Sequence, residues 1–304
     1  MGILGKQVFQ VVASLIAIAL AVWYFAWRTP PEFFQQFSYI NYWYVVLGAF
    51  GYALFVVLST IRWGFLLTKD VKKLPWGNLL SITAIAKGLG SVTPMNAGEF
   101  LKAEMSHKLS GGSRGSQYGI VAVERVMDVA TLLIFATVGI LAQTEFRERF
   151  LTHLEIVLGL FVICVVVGVF ALKVAHKRIT KLRTLIDGMA ATIRITANSW
   201  IVPVVTIVQW IVIGLLWIAL AKAFDVTMPV TDALVVLSLV TFIMVASFLP
   251  GGVGIADIGA SEIALALGYS NPECIAIVFA IRLNTFISLF IGITAYLLRK
   301  FRHT

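Results

Sequence analysis

Residues 231–268 read TDALVVLSLVTFIMVASFLPGGVGIADIGASEIALALG. This stretch is apolar enough to enter a bilayer, yet Pro250-Gly251-Gly252-Val253-Gly254 and Gly259 interrupt it. Proline removes a helical N–H, and glycine tolerates backbone that other residues avoid. An unbroken span needs about 20 apolar residues, so a run of nearly twice that length with a break inside predicts a helical hairpin. Its elbow lies in mid-membrane, where freed backbone groups must be shielded by protein or water. A second such stretch, 76–110, reads WGNLLSITAIAKGLGSVTPMNAGEFLKAEMSHKLS, broken by Gly88, Gly90, Pro94 and Gly98, with an amphipathic second limb.

Working outward, six unbroken runs remain: Val8–Trp27, Tyr42–Ile61, Tyr118–Ala142, Leu154–Leu172, Trp200–Ala221 and Cys274–Leu298. The first has no small-residue cleavage site after it and reads as a retained helix. The expected fold is therefore an all-α polytopic membrane protein of six transmembrane helices plus two oppositely oriented re-entrant hairpins. It forms one integral membrane domain over 1–304, with halves 1–150 and 151–304 related as an inverted repeat. Composition agrees. Of 304 residues, 60% are hydrophobic and 13% charged, against roughly 25% charged in soluble domains, and the mean hydropathy is +0.93. A cytosolic enzyme is excluded.

Charge placement orients the chain. If both broken stretches enter and leave on one face, with the N-terminus inside, most of the 24 basic residues fall on the inner side. These include Arg62, the loop residues Lys173, Lys177, Arg178, Lys181, Arg183 and Arg194, and the terminal Arg299-Lys300-Phe301-Arg302. Letting only one of the two stretches cross would move one of these basic groups outside, against the positive-inside rule. The expected setting is the cell inner membrane with both termini cytoplasmic. The net charge of +9 thus serves orientation and anionic inner-leaflet lipid, and no nucleic-acid partner is expected.

The repeat is also visible in motif spacing. Gly98 follows Pro94 at +4, and Gly254 follows Pro250 at +4. About 31 residues beyond each proline, the next helix carries an intramembrane arginine, Arg125 or Arg282. Paired broken helices of opposite entry are how transporters build a site near the midplane.

Lys87, Glu99, Glu124, Arg125, Asp128, Asp257 and Arg282 fall in or beside membrane segments. Each charge costs roughly 2.5–3.5 kcal/mol on a lipid-facing helix centre, so they must face one another or a wet cavity. Glu124 and Asp128, four apart, share a helix face with Arg125 at its margin. Two readings stay open: a structural ion network, or a phosphate site built on forked guanidinium groups. Asn96 and Glu99 have capping-box spacing, with Asn96 as the expected N-cap. Glu99 to Lys102 is an ordinary intrahelical pair. Helix starts at Gly98 and after Gly251-Gly252-Val253-Gly254 offer free N–H groups to an anion.

Pro94-Met95-Asn96-Ala97-Gly98-Glu99, Glu124-Arg125-Val126-Met127-Asp128, Pro250-Gly251-Gly252-Val253-Gly254 and Arg282 resemble the transmembrane region of lysylphosphatidylglycerol synthases, a group of flippase-like membrane proteins. The resemblance covers nearly the whole chain. It implies movement of modified phospholipids, hopanoid lipids or polyprenyl-linked sugars between leaflets. It also implies site roles for Glu99, Glu124, Arg125, Asp128, Pro250, Gly252, Gly254 and Arg282. Lys102 stands where the family usually has arginine, Asp257 where it often has glutamate, and Met95-Asn96 where it has a small or basic pair. The sequence stops at Thr304, so no aminoacyl-transfer domain and no lysylphosphatidylglycerol synthesis are expected.

No GxxxxGK[ST] loop is present, and the four histidines lack metal-ligand spacing. No cofactor or metal is expected. The leading expectation is a flippase for an anionic, phosphate-bearing lipid. The alternatives are a non-transporting partner of a glycosyltransferase or lipid-modifying enzyme, and a membrane-embedded enzyme using paired carboxylates on a lipid-linked substrate.

Overall fold

A computed structural model describes residues 40–67, 74–110, 113–143, 180–197, 199–247 and 249–301. The described chain is helical: α1 (Tyr42–Leu66), α2 (Trp76–Gly90), a 3₁₀ turn (Pro94–Asn96), α3 (Gly98–Ser110), α4 (Arg114–Ala142), α5 (Thr180–Ala197), α6 (Ile201–Ala223), α7 (Val230–Ala246), a second 3₁₀ turn (Pro250–Gly252), α8 (Ile255–Ala266) and α9 (Asn271–Phe301). Four helices, α1, α4, α6 and α9, are long and apolar enough to cross a membrane. They match four of the six expected spans. The other two, Val8–Trp27 and Leu154–Leu172, lie outside the described residues.

Local chemistry sets several boundaries. Asn41 Oδ1 accepts from Trp43 N and starts α1; Ser113 accepts from Ser116 N and starts α4. Both elbows begin at proline, and the residue before each is extended, Thr93 at ψ 150° and Leu249 at ψ 148°, as a following proline requires. The glycines then make the turns possible. Gly251, Gly252 and Gly254 all have positive φ. A Cβ on Gly98 would lie 2.2 Å from Gly90 N, so α3 can turn back against α2 only there.

The packing is reciprocal. α2 runs against α9, and α7 against α4; α3 packs on α4, and α8 on α9; α1 lies along α6, and the two 3₁₀ elbows touch. α1 and α6 are antiparallel, since Asn41 N donates to Ala223 O at one end and Arg62 reaches Thr206 at the other. One end of the bundle gathers Trp63 and Leu66 from the end of α1 with Leu79, Ile120 and Val202 from the starts of α2, α4 and α6. At the opposite end, Ala136 and Ile140 of α4 pack on Val235 near the start of α7. So α2 and α7 begin at opposite ends. Each partner helix returns to the end where its element began: Arg114 at the start of α4 bonds Glu104 of α3, and Tyr269 beyond α8 donates to Asp232 of α7 at 2.8 Å. Burial, then that hydrogen bond, push the Tyr269 phenol above its ordinary pKa, so it remains a donor.

The apolar core lies between these helices, with Tyr52, Phe55, Leu132, Trp217 and Leu237 among its buried members. α2 and α9 cross where glycines meet: a Cβ on Gly88 would stand 2.7 Å from Gly292 Cα.

Candidate functional site: a buried charge cluster beneath the first elbow

The last two turns of α1, the end of α2, the start of α3 and the middle of α4 converge on one ionic network. Arg62 is fully buried. Its Nε donates to Glu124 Oε1 at 3.2 Å, and its Nη1 donates to Asp128 Oδ1 at 2.6 Å and to Thr206 Oγ1 at 3.3 Å. Asp128 Oδ1 also accepts from Gln209 Nε2 at 3.1 Å and Trp210 Nε1 at 2.9 Å. Lys102, equally buried, pairs with Glu124 Oε2 at 2.6 Å and lies over the Trp63 ring at 5.0 Å. Lys87 pairs with Glu99 Oε1 at 2.7 Å and lies over Phe55 at 4.8 Å. Arg125 links the two carboxylate groups, 2.8 Å from Asp128 Oδ2 and 3.7 Å from Glu99 Oε1.

Four cations, Arg62, Lys87, Lys102 and Arg125, thus face three carboxylates, Glu99, Glu124 and Asp128. The cluster holds one more basic side chain than acidic ones, and every carboxylate in it touches at least two basic groups. The exposed edge of the network is Arg125, whose side chain is 33% accessible, whereas Arg62 is 0%.

That edge forms the wall of a cavity of about 130 Å³ that also takes in Tyr52, Lys87, Asn96, Glu99, Asn284 and Ser288. Arg125 Nε and Asn284 Oδ1 have no hydrogen-bond partner. The cavity therefore offers a cationic donor and a polar acceptor to whatever enters it. No group of three or more His, Cys, Asp or Glu side chains able to hold a metal occurs among the described residues.

The second elbow has its own charged pair. Arg282 Nε donates to Asp257 Oδ1 at 2.6 Å and Nη1 to the Gly251 carbonyl at 2.9 Å, while Asp257 Oδ2 accepts from Gly254 N at 2.9 Å. Arg282 and Asp257 thus brace the Pro250, Gly251, Gly252 and Gly254 turn. The turn meets the Pro94 elbow closely: a Cβ on Gly251 would lie 2.8 Å from Ser91 O.

Of the residues singled out from the sequence, Lys87, Glu99, Lys102, Glu124, Arg125 and Asp128 form one cluster, and Asn96 joins Lys87, Glu99 and Arg125 on the cavity wall. Arg282 does not line that cavity, although Ile281, Asn284 and Thr285 beside it do. Asn96 is not the N-cap of α3. It sits in the 3₁₀ turn at φ +54°, and Thr93 Oγ1 accepts from Gly98 N at 2.9 Å instead. Glu99 pairs with Lys87 at 2.7 Å and, as expected along the helix, with Lys102 at 3.7 Å. Arg62, counted from the sequence only among the orienting basic residues and given no site role, is found buried at the heart of the network. Trp63-Gly64-Phe65-Leu66 follow it, a further apolar turn that signals helix continuing past the charge. Gln209 and Trp210 carried no signal, being a polar and an aromatic residue inside an ordinary apolar span.

The family described as the lysylphosphatidylglycerol synthase TM region matches residues 10–292. No curated protein and no solved structure matches the chain.

Proposed function

Because the chain belongs to the lysylphosphatidylglycerol synthase TM region family, we propose that it carries an anionic, phosphate-bearing lipid or polyprenyl-linked lipid between membrane leaflets. The observation that carries this reading is the cavity at the charged cluster, where four basic side chains meet three carboxylates and the Nε of Arg125 has no partner. A forked guanidinium suits a phosphate, because two parallel N–H bonds match two of its oxygens. Lys87 and Asn284 flank the same space. Glu99 is divided among Lys87, Arg125 and Lys102, so an entering phosphate competes with it for Lys87 and Arg125.

In this reading α2–α3 and α7–α8 are two oppositely oriented re-entrant hairpins of an inverted repeat, their touching elbows separating the two faces. The reciprocal packing and the return of each element to its starting end support it. Arg282 holds the second elbow in shape through the Gly251 carbonyl and Asp257, a positioning role rather than direct lipid contact. In the same reading the protein sits in the inner membrane with cytoplasmic termini, an orientation that the distribution of its basic residues supports. The lipid leaves chemically unchanged, and a gradient or product trapping supplies the drive.

Leaflet exchange of labelled lipids in proteoliposomes tests this, with phosphatidylglycerol, phosphatidylcholine and a polyprenyl phosphate as cargo. Exchange above empty vesicles is expected, falling at least tenfold in Arg125→Ala with the protein still folded. No exchange of any lipid by stable protein overturns transport in favour of a partner-dependent role. Chemically altered lipid identifies an enzyme.

A further inference from the structure

A second cavity, about 510 Å³, opens on the flank of the bundle between α1, α2 and α9. Its wall is mostly apolar, with Ala53, Val57, Ala84, Ile291, Ala295 and Leu298. Where α2 begins and α9 ends, the lining becomes polar through Asn78, Ser81, Thr294 and Arg299. The two cavities share no lining residue. Between them stand the Gly88–Gly292 crossing and the bond between Tyr52 OH and Ser288 Oγ, 2.5 Å long.

Arg299 distinguishes this groove from a lipid-facing furrow. Its Nη1 is withdrawn from solvent and has no hydrogen-bond partner, and no acidic residue lines the groove. A shielded guanidinium nitrogen without an acceptor is costly; an anion placed there removes the cost. An anion alone leaves the long apolar wall unexplained, whereas one molecule with an anionic end and a hydrocarbon chain fits both parts.

We propose that this groove is a binding site for an anionic glycerophospholipid of the surrounding membrane. Its phosphate sits on the Arg299 guanidinium beside the Asn78 amide, and one acyl chain lies along the α1–α2–α9 wall. The site is separate from the charged cavity and does not depend on transport through it. By packing in the seam between α2 and α9, the lipid supports the crossing that holds the first broken element in place.

The test uses full-length protein in phosphatidylcholine nanodiscs doped with phosphatidylglycerol whose acyl chain carries a diazirine. After illumination, adducts are mapped by peptide mass spectrometry. Adducts are expected on lining residues of α1, α2 and α9. They should fall about tenfold in Arg299→Gln and in Ala295→Phe, which fills the slot, and recover partly in Arg299→Lys. A phosphatidylcholine probe with the same chain should label the groove several-fold less. Thermal unfolding confirms that each variant is folded. Arg125→Gln should leave groove labelling in place even where it abolishes leaflet exchange, which keeps the two proposals distinguishable. Equal labelling by both head groups, or labelling indifferent to Arg299→Gln, overturns the proposal. So do adducts confined to residues 1–39, because the chain's own N-terminal segment then covers the groove.

Discussion

Arg62 and Arg125 contact the same carboxylate, Asp128, yet they are different kinds of residue. Arg62 is enclosed on all sides and spends its donors on Glu124, Asp128 and Thr206. Arg125 keeps an open edge toward the cavity. Removing one partner of a buried pair costs about 3–5 kcal/mol, because the other charge stays buried without compensation. Arg62→Ala should therefore lower the thermal unfolding midpoint in detergent sharply, while Arg125→Ala leaves it within a few degrees of wild type. The same comparison separates structure from function, since Arg125→Ala is expected to lose exchange while remaining folded. Equal loss of stability in both variants would make the cluster purely structural. Glu124→Gln should also lower the midpoint, though less than Arg62→Ala, because Arg62 keeps Asp128 and Lys102 keeps only the longer contact to Glu99.

At the scale of elements, the elbows depend on glycine for two distinct reasons. At Gly98 the reason is space, with backbone of Leu89 and Gly90 within 2.6 Å of an added Cβ. At Gly251 it is both space and a φ of +59°. Gly268 has φ +94° but nothing within 4 Å. Gly98→Ala should consequently destabilise the protein severely or prevent its accumulation in the membrane. Gly268→Ala should cost only about 1–2 kcal/mol, the penalty of a side chain in left-handed backbone. Fluorescence-detected thermal unfolding of the two variants makes the comparison. These elements were largely legible in the sequence, because proline and glycine act locally and apolar run length needs no partner. Pro94, Gly98, Pro250 and Gly254 marked the breaks correctly. Asn96 does not cap α3 because, once Pro94 has turned the chain, Asn96 stands at φ +54° and Thr93 Oγ1 takes the Gly98 N–H, an outcome that spacing alone does not resolve.

At the scale of the whole molecule, the reciprocal packing makes a topological prediction. Single cysteines at Asn78 and Ser270, with Cys164 and Cys274 replaced by alanine, should be labelled by a membrane-impermeant maleimide from opposite faces. The start of α2 lies with the end of α9, whereas Ser270 follows Tyr269, which bonds the start of α7. Labelling of both from one face defeats the opposed orientation of the two elements.

The sequence by itself determined the membrane class, the positions of four spans that the structure describes, the two breaks and most members of the charged cluster. Those features follow from hydropathy, backbone chemistry and the cost of charge in lipid, all of which act along a short stretch of chain. Only the tertiary structure decided which charges meet. Arg62 finds Asp128 across 66 residues and Tyr52 finds Ser288 across 236, and Arg282 turns to its own elbow rather than joining Arg125. Electrostatic and hydrogen-bond energies depend on distance in space, and helix packing, with glycines at its closest approaches, set those distances.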